Sequence, residues 1–471
     1  PPRDVLEMQN IWKVQSKNYT QIQNNDAYEP RTHNLLLNAD AFKVRTVITG
    51  HGQEGEFIPQ THTLNIDGGT VDYSWQVWTE CADNPIFPQG GTWIYDRAGW
   101  CPGQPTDLRE DDISFLVTPG QSHIFDYNVL GGSGTTKYWT SSQLVSYGSP
   151  NFTLDAAIVD VLSPTNKVNY IRKNPMCSKP EVVIQNTGSD VLTSLTIEYW
   201  INNSPDKETF TWTGNLNFLE KETVSLPDPS SLWIDTTSSN NVFYAEISNP
   251  NGLADGYSFN NNISSTFELP EIMPSVFALW FGTNNGMVNA FTQESETTWK
   301  FLDNNDNVVY SSGTLYANNQ YRDTLSFDGR CYTFVINDAD DDGLEFWNNN
   351  DGAGMVRFRE IGASWIKDDF ELDFGKYLQY EFMVEQAISS VDNQDYNLTI
   401  YPNPATNHLI INGDLSNFSE LVITDNLGKV LLSEVINKNS NSQKINIKSL
   451  AKGIYFIKID DGKIIRKIVK Q

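Results

Sequence analysis

The 471 residues exceed what a single hydrophobic core supports; roughly 150 residues per domain gives about three domains, and four if the domains are small and all-β. Thirty-two Lys and Arg against 59 Asp and Glu leave a net charge of −27, a field that repels phosphate backbones and anionic bilayers and excludes nucleic acid as a partner. No stretch approaches the roughly 18 apolar residues of a membrane span. The opening PPRDVLEMQN lacks the basic-then-apolar pattern of a signal peptide, so the expectation is a mature, processed or truncated start.

Helical apolar periodicity is almost absent. Short alternating runs rich in Val, Ile, Thr, Tyr and Trp recur instead between Asn, Asp and Gly clusters, at Lys43 to Thr49, Thr61 to Ile66, Ser74 to Trp78, Leu195 to Ile201, Val242 to Ile247, Cys331 to Ile336 and Ile454 to Ile459. The chain reads as all-β, a tandem array of β-sandwiches. The pattern lapses into polar or Pro-bearing text at LSPTNK (162–167), SSTFELPEIMP (264–274) and QAISSVDNQDY (386–396). The predicted domains are 1–163, 164–268, 269–385 and 396–471, with 386–395 as a linker.

Within 1–163, the runs ITGHGQEGEFIPQTHTLNIDGG and TECADNPIFPQGGTWIYDRAGWCPG interleave Gly, Pro and aromatic residues closely enough to predict a rigid loop at one end of a sandwich. Cys81 and Cys101 bracket that loop. If they pair, closing it stabilises the fold by about 3 kcal/mol, in an oxidising compartment outside the cytoplasm. Arg97, beside Asp96 and flanked by Trp93, Tyr95 and Trp100, reads either as a forked donor for a carbonyl or carboxylate or as a Trp-stacked Arg paired with Asp96. Glu56 lies in a Gly-bounded loop before the THTLNI strand. A carboxylate and a guanidinium on converging loops are a minimal kit for polarising an amide and managing its protons.

The run from VRTVITG through THT to DRAGWCPG resembles the C-terminal jelly roll of the peptide-N-glycosidase F family, amidases that release asparagine-linked glycans. The resemblance implies a jelly roll over most of 1–163, Glu56 and Arg97 in the catalytic site, and a Cys81–Cys101 disulfide. His51, which replaces the Trp of the family's sugar site, joins Trp93, Asp96 and Trp100 as the expected substrate-binding set. The family builds its site between two jelly rolls and takes its principal catalytic Asp from the first, which has no counterpart in this sequence. The expectation is therefore a half-site, inactive in the chain as it stands. Copper chemistry of the related jelly-roll monooxygenases is excluded by only five His, with His62 alone in THT. No GxSxG, HExxH or P-loop is present.

Residues 164–268 resemble bacterial cell-adhesion Ig-like modules, with Trp200 and Trp212 read as core. Residues 269–385 resemble a β-sandwich module of secreted cargo recognised by CYTFVINDADDDGLEFW. In it Asp338, Asp340, Asp342 and Gly343 form DxDxDG, the spacing that turns successive carboxylates around one hard cation. An EF-hand would carry Glu at the twelfth position, which is Asn349, and would need flanking helices. Calcium and a solvated acidic hairpin turn both remain open, and no other cofactor is expected. Cys177 and Cys331 fall in different modules and are left without a pairing.

After residue 395, ten Lys and Arg against six Asp and Glu bring the tail to +4 and leave the rest at −31, a reversal that predicts an independently folding unit of about seven short strands. Asp461-Gly462 reads as a hairpin turn, and Pro402 and Pro404 as an edge. The alternative is an ordinary adhesive Ig-like repeat. The motifs YPNPA (401–405), DNLGK (425–429) and LAKGIY (450–455) and the Lys-rich last strand resemble the type A sorting domain of the type IX secretion system, an Ig-like fold. Tyr401, Pro402, Asn403, Pro404, Gly428, Gly453, Tyr455 and Lys467 carry that likeness. It implies a secreted or surface protein of Bacteroidetes type. The implied partners are the outer-membrane translocon, its sorting-domain receptor and a surface sortase. Two functions follow for the cargo: hydrolysis of the asparagine-glycan amide of glycoproteins in a full-length form, or non-catalytic binding of glycan or protein as an adhesin.

Overall fold

The computed structural model describes residues 1–173, 177, 179–228, 241–362, 364–384, 398–425, 429–460 and 464–471, and it divides into two compact units, 1–384 and 385–471. Among the described residues the α-helices are two of five residues each, Tyr19–Gln23 and Gln53–Phe57. The rest of the regular structure is antiparallel sheet with a few 3-10 turns and one short parallel pairing at Ile272–Met273.

The first sandwich stacks two four-stranded sheets. One is ordered Arg3–Asn18, Lys137–Pro150, Ala41–His51, Leu108–Asp112; the other is ordered Arg31–Asn34, Ser122–Leu130, Gln60–Ile66, Tyr73–Val77. In Ala41–His51 every second side chain is buried, as a strand with one face on a core requires. The facing sheets close on Trp12, Phe42, Val44, Phe125, Tyr127 and Tyr138. His62 is buried in this core against the Tyr127 hydroxyl (2.7 Å), and burial alone drops its pKa to about 3. The neutral imidazole is a core residue.

The second sandwich begins earlier than the polar text suggests. Ala156–Ser163, placed in the first module by a boundary at 163, pairs with Glu181–Asn186 in the second, so LSPTNK is a connection inside that module. Trp212 is in the core, but Trp200 is not: its neighbour Tyr199 takes the inward face, and Trp200 stacks outside on Tyr244 beneath Lys207. The third sandwich packs Phe277, Phe301, Phe334, Phe358 and Phe382 between a five-stranded and a four-stranded sheet.

The first and third sandwiches are joined through the 3-10 turn Val168–Lys173. Arg172 is 1% exposed. Its guanidinium donates to the carbonyls of Ala82 (2.6 Å) and Asn84 (2.9 Å) on one side, and to those of Phe374 and Tyr377 on the other. Phe87 and Tyr377 rings flank it, 4.8 and 4.3 Å from its centre. Cys177, four residues beyond that turn, is disulfide-bonded to Cys331 of the third sandwich, while Cys81 pairs with Cys101.

The tail has seven strands among its described residues, in sheets of three and four around Leu409, Ile423, Ile445 and Ile457. YPNPA is tied to the final strand: Asn403 donates to the Lys467 carbonyl (2.9 Å) and accepts from the Val469 amide (2.8 Å), and Ala405 bonds the Val469 carbonyl (2.8 Å). Tyr401 lies in the strand Thr399–Tyr401 before it. Tyr455 donates to the Ala451 carbonyl (2.9 Å) inside LAKGIY, where Gly453 opens the strand Gly453–Ile459. Gly428 and the Asp461-Gly462 turn lie outside the described residues.

Replacing Arg172 by Met removes a donor from four carbonyls, of which that of Ala82 keeps the Lys376 amide (3.2 Å), at about 1–3 kcal/mol for each group left unsatisfied. The expected outcome is a lowered melting temperature, with new proteolytic cleavage between the first and third sandwiches.

Candidate functional site

The site grows from a close approach of three segments that only glycine permits. A Cβ on Gly50 would stand 1.8 Å from the Gly55 carbonyl oxygen, and one on Gly99, at φ +76°, would stand 2.0 Å from that of Ile48. The end of strand Ala41–His51, the helix Gln53–Phe57 and the loop through Arg97 therefore press together. Amides of Gly50 and Ala98 then bond the carbonyls of Ala98 (2.8 Å) and Glu56 (3.0 Å). Thr79 and Arg97 exchange backbone bonds at 2.8 and 3.1 Å, and the Cys81–Cys101 disulfide closes the same loop.

This brings the two expected catalytic side chains together: Arg97 Nε donates to Glu56 Oε1 at 3.1 Å. Every nitrogen of Arg97 is committed. Nη1 donates to the carbonyls of Tyr95 (2.6 Å) and Trp93 (3.4 Å), and Nη2 to the carbonyl (2.8 Å) and hydroxyl (3.3 Å) of Thr92. Its side chain is 6% exposed against 19% for Glu56, so the carboxylate is the more accessible member. Asp96 is not the partner of Arg97; it accepts from the Cys81 amide (3.0 Å) and pins the disulfide.

His51 and Trp100 flank the pair. Their rings lie 5.8 Å apart, Trp100 sits 5.3 Å from the Arg97 guanidinium, and burial holds the His51 pKa below the ordinary value, with Glu56 opposing. Trp93 departs from its expected place in a substrate wall. It is fully buried and donates to Asp373 of the third sandwich (2.9 Å), a partner 280 residues away that no local pattern announces. Also absent from the sequence reading is the docking of Trp347 on the Gly91 carbonyl (2.7 Å) and of Asn348 on the Tyr95 hydroxyl (2.8 Å).

Between the sandwiches lies an open cleft of ≈ 630 Å³, with Phe57, Trp78, Tyr95 and Asp96 on one wall and Asp341 and Phe346 on the other. Along the second wall, which Asp340 and Asp342 also line, the DxDxDG carboxylates separate. Asp338 is buried and Asp342 half-buried, whereas Asp340 is exposed and outside the cluster; the third member is Glu296, 4% exposed. Strand register explains it: Thr297 pairs with Asp338, so the residue before it falls alongside. Burial, then mutual repulsion, raises Glu296 to about 8 and Asp338 to about 7; burial raises Asp342 to about 6.

Comparison with known proteins gives two domain matches. Residues 18–146 match the C-terminal domain of peptide-N-glycosidase F, and residues 399–471 match the secretion system C-terminal sorting domain. The peptide-N(4)-(N-acetyl-β-D-glucosaminyl)asparagine amidase F of Elizabethkingia miricola is 29% identical over 128 residues, 24% of this chain, and the chain spans 36% of that relative's length. A solved PNGase F, a glycosylasparaginase from Flavobacterium meningosepticum, is 24% identical, with 30% of this chain and 51% of that chain covered and a TM-score of 0.26. PNGF-II is 20% identical, with 25% and 24% covered and a TM-score of 0.21. The chain thus carries a type IX sorting domain at 399–471 and a domain related to peptide-N-glycosidase F at 18–146. The sorting domain implies engagement of the type IX secretion machinery and export across the outer membrane, to the surface or beyond. Among the described residues no helix is long and apolar enough to cross a membrane.

Because Arg97 organises its own loop, Arg97→Ala is expected to cost about 3–5 kcal/mol, as for other buried pairs broken on one side. Glu56→Gln keeps an acceptor for Nε and is expected to change stability by less than about 1 kcal/mol. Thermal unfolding of the two variants, with proteolysis of the 79–107 loop, checks the contrast.

Proposed function

We propose that this exported protein recognises glycan-bearing peptide in the cleft between its first and third sandwiches, with the Glu56–Arg97 pair holding together the helix and the loop that carry the cleft residues Phe57 and Tyr95. The observation that carries the reading is the Glu56–Arg97 pair, held by glycine-mediated packing within the region that matches peptide-N-glycosidase F. The cleft suits a sugar. Aromatic faces at Phe57, Trp78 and Tyr95 offer stacking surface, and carboxylates at Asp96 and Asp341 accept from hydroxyls.

Amide hydrolysis asks more of the site. A developing oxyanion needs a donor that is free to turn to it, and all three Arg97 nitrogens already serve Glu56 and loop carbonyls. The reading for these 471 residues is therefore recognition without cleavage. The amidase reading, favoured by the coincidence of Glu56 and Arg97 in one site, requires a further module to contribute an acid.

The test pairs binding with turnover, using a peptide that carries N-acetyl-β-D-glucosaminyl asparagine. The full chain is expected to bind it without releasing the sugar, and Tyr95→Ala and Glu56→Ala each to weaken binding about tenfold, or 1.4 kcal/mol. Sugar release sensitive to Glu56 would establish the amidase; equal binding by all three proteins would reject the cleft. In the producing cell, removing 399–471 is expected to retain the protein inside the outer membrane, scored by fractionation; unchanged export would reject the sorting role.

A further inference from the structure

The acidic group of the third sandwich is built as a receptor for a cation, on observations independent of what the cleft binds. Carboxylate oxygens of Glu296, Asp338 and Asp342 lie within 4.8 Å of one another. Such oxygens repel unless a proton or a cation stands between them, and no Lys, Arg or His ion pair to any of the three occurs among the described residues.

The stronger observation concerns unmet oxygens. Glu296 is 96% buried by its 4% exposure, yet its Oε1 has no hydrogen-bond partner among the described residues, and the buried Oδ1 of Asp342 has none either. A buried carboxylate oxygen without a donor is costly and is not retained by packing alone. Room is made for it: a Cβ on Gly286 would stand 1.6 Å from Glu296 Oε1, so the carboxylate fills the space that glycine leaves. The remaining oxygens are aimed by neighbours. Asp338 accepts from the amides of Asp340 and Asp342 (3.2 Å each) and from the Thr297 hydroxyl (3.1 Å), and Asp342 accepts from the Asn349 amide (2.7 Å).

We propose that Glu296, Asp338 and Asp342 bind one calcium ion, and that the ion braces the loop 338–351 against the first sandwich. Three carboxylates supply part of the six to eight oxygens that calcium takes, and a cavity of ≈ 360 Å³ lined by Glu296 and Asp338 admits water for the rest. Phe346, Trp347 and Asn348, which dock on the disulfide loop of the first sandwich, follow Asp342 within a few residues. Holding Asp342 therefore holds one wall of the cleft. Asp340, central to the DxDxDG spacing, takes no part.

The test is calcium titration of the chelator-treated full chain by calorimetry, with terbium luminescence as a second readout. One saturable site is expected, with a rise in melting temperature at millimolar calcium and slower proteolysis of 338–351. Glu296→Gln and Asp342→Asn are each expected to weaken binding at least tenfold, while Asp340→Asn leaves it within about twofold. Two variants at separate positions guard against misfolding of either, and circular dichroism confirms the fold of each. No saturable binding up to about 1 mM calcium, binding unchanged in both variants, or loss in Asp340→Asn equal to theirs would overturn the proposal. Magnesium binding with equal affinity would overturn the calcium assignment.

Discussion

One buried guanidinium fixes the geometry on which the candidate site depends. Arg172 belongs to a turn between two strands of the second sandwich, yet its four carbonyl acceptors lie in the first and third. Carbonyls are strong acceptors that must be satisfied when dehydrated, and an arginine with its fork of donors satisfies several at once. Burial lowers its pKa, but the surrounding carbonyls and the Phe87 and Tyr377 faces make a charged group tolerable there. With Cys177–Cys331 close by in sequence, the third sandwich is held against the loop closed by Cys81–Cys101.

That arrangement divides labour within the cleft. The first sandwich contributes Phe57 and Tyr95, on a helix and a loop that the Glu56–Arg97 pair holds together, and the third contributes a wall whose shape follows from an acidic loop. Rigid loops on paired scaffolds are a common way to position recognition groups, because neither wall needs to be ordered at the moment of binding. The commitment of Arg97 to its own backbone makes the pocket precise and makes its guanidinium a poor electrophile.

Local patterns in the sequence reach a definite distance. Alternation in KVRTVIT and THTLNI announces strands with one face on a core, and both are found. The spacing of Cys81 and Cys101 around a Gly- and Pro-rich stretch is likewise a local signal. What alternation cannot show is the partner across a module boundary: Asp373 for Trp93, Gly91 for Trp347, Cys331 for Cys177. The DxDxDG text suggests three neighbouring carboxylates, but backbone direction turns Asp340 to solvent, and the register of a distant strand substitutes Glu296. Trp200 shows a smaller version of the same limit, since two adjacent aromatic residues cannot share one face of a strand.

The chemistry of the Arg172 junction bears on where such a protein can work. A molecule of net charge −27 held together by exposed ion pairs would loosen as dissolved ions screened them. Here the principal contact is between one cation and uncharged carbonyls, sealed from water, while the exposed Lys376–Glu80 pair is an accessory. The junction is therefore insulated from the ionic strength of its surroundings, a useful property for a protein exported across the outer membrane, to the surface or beyond.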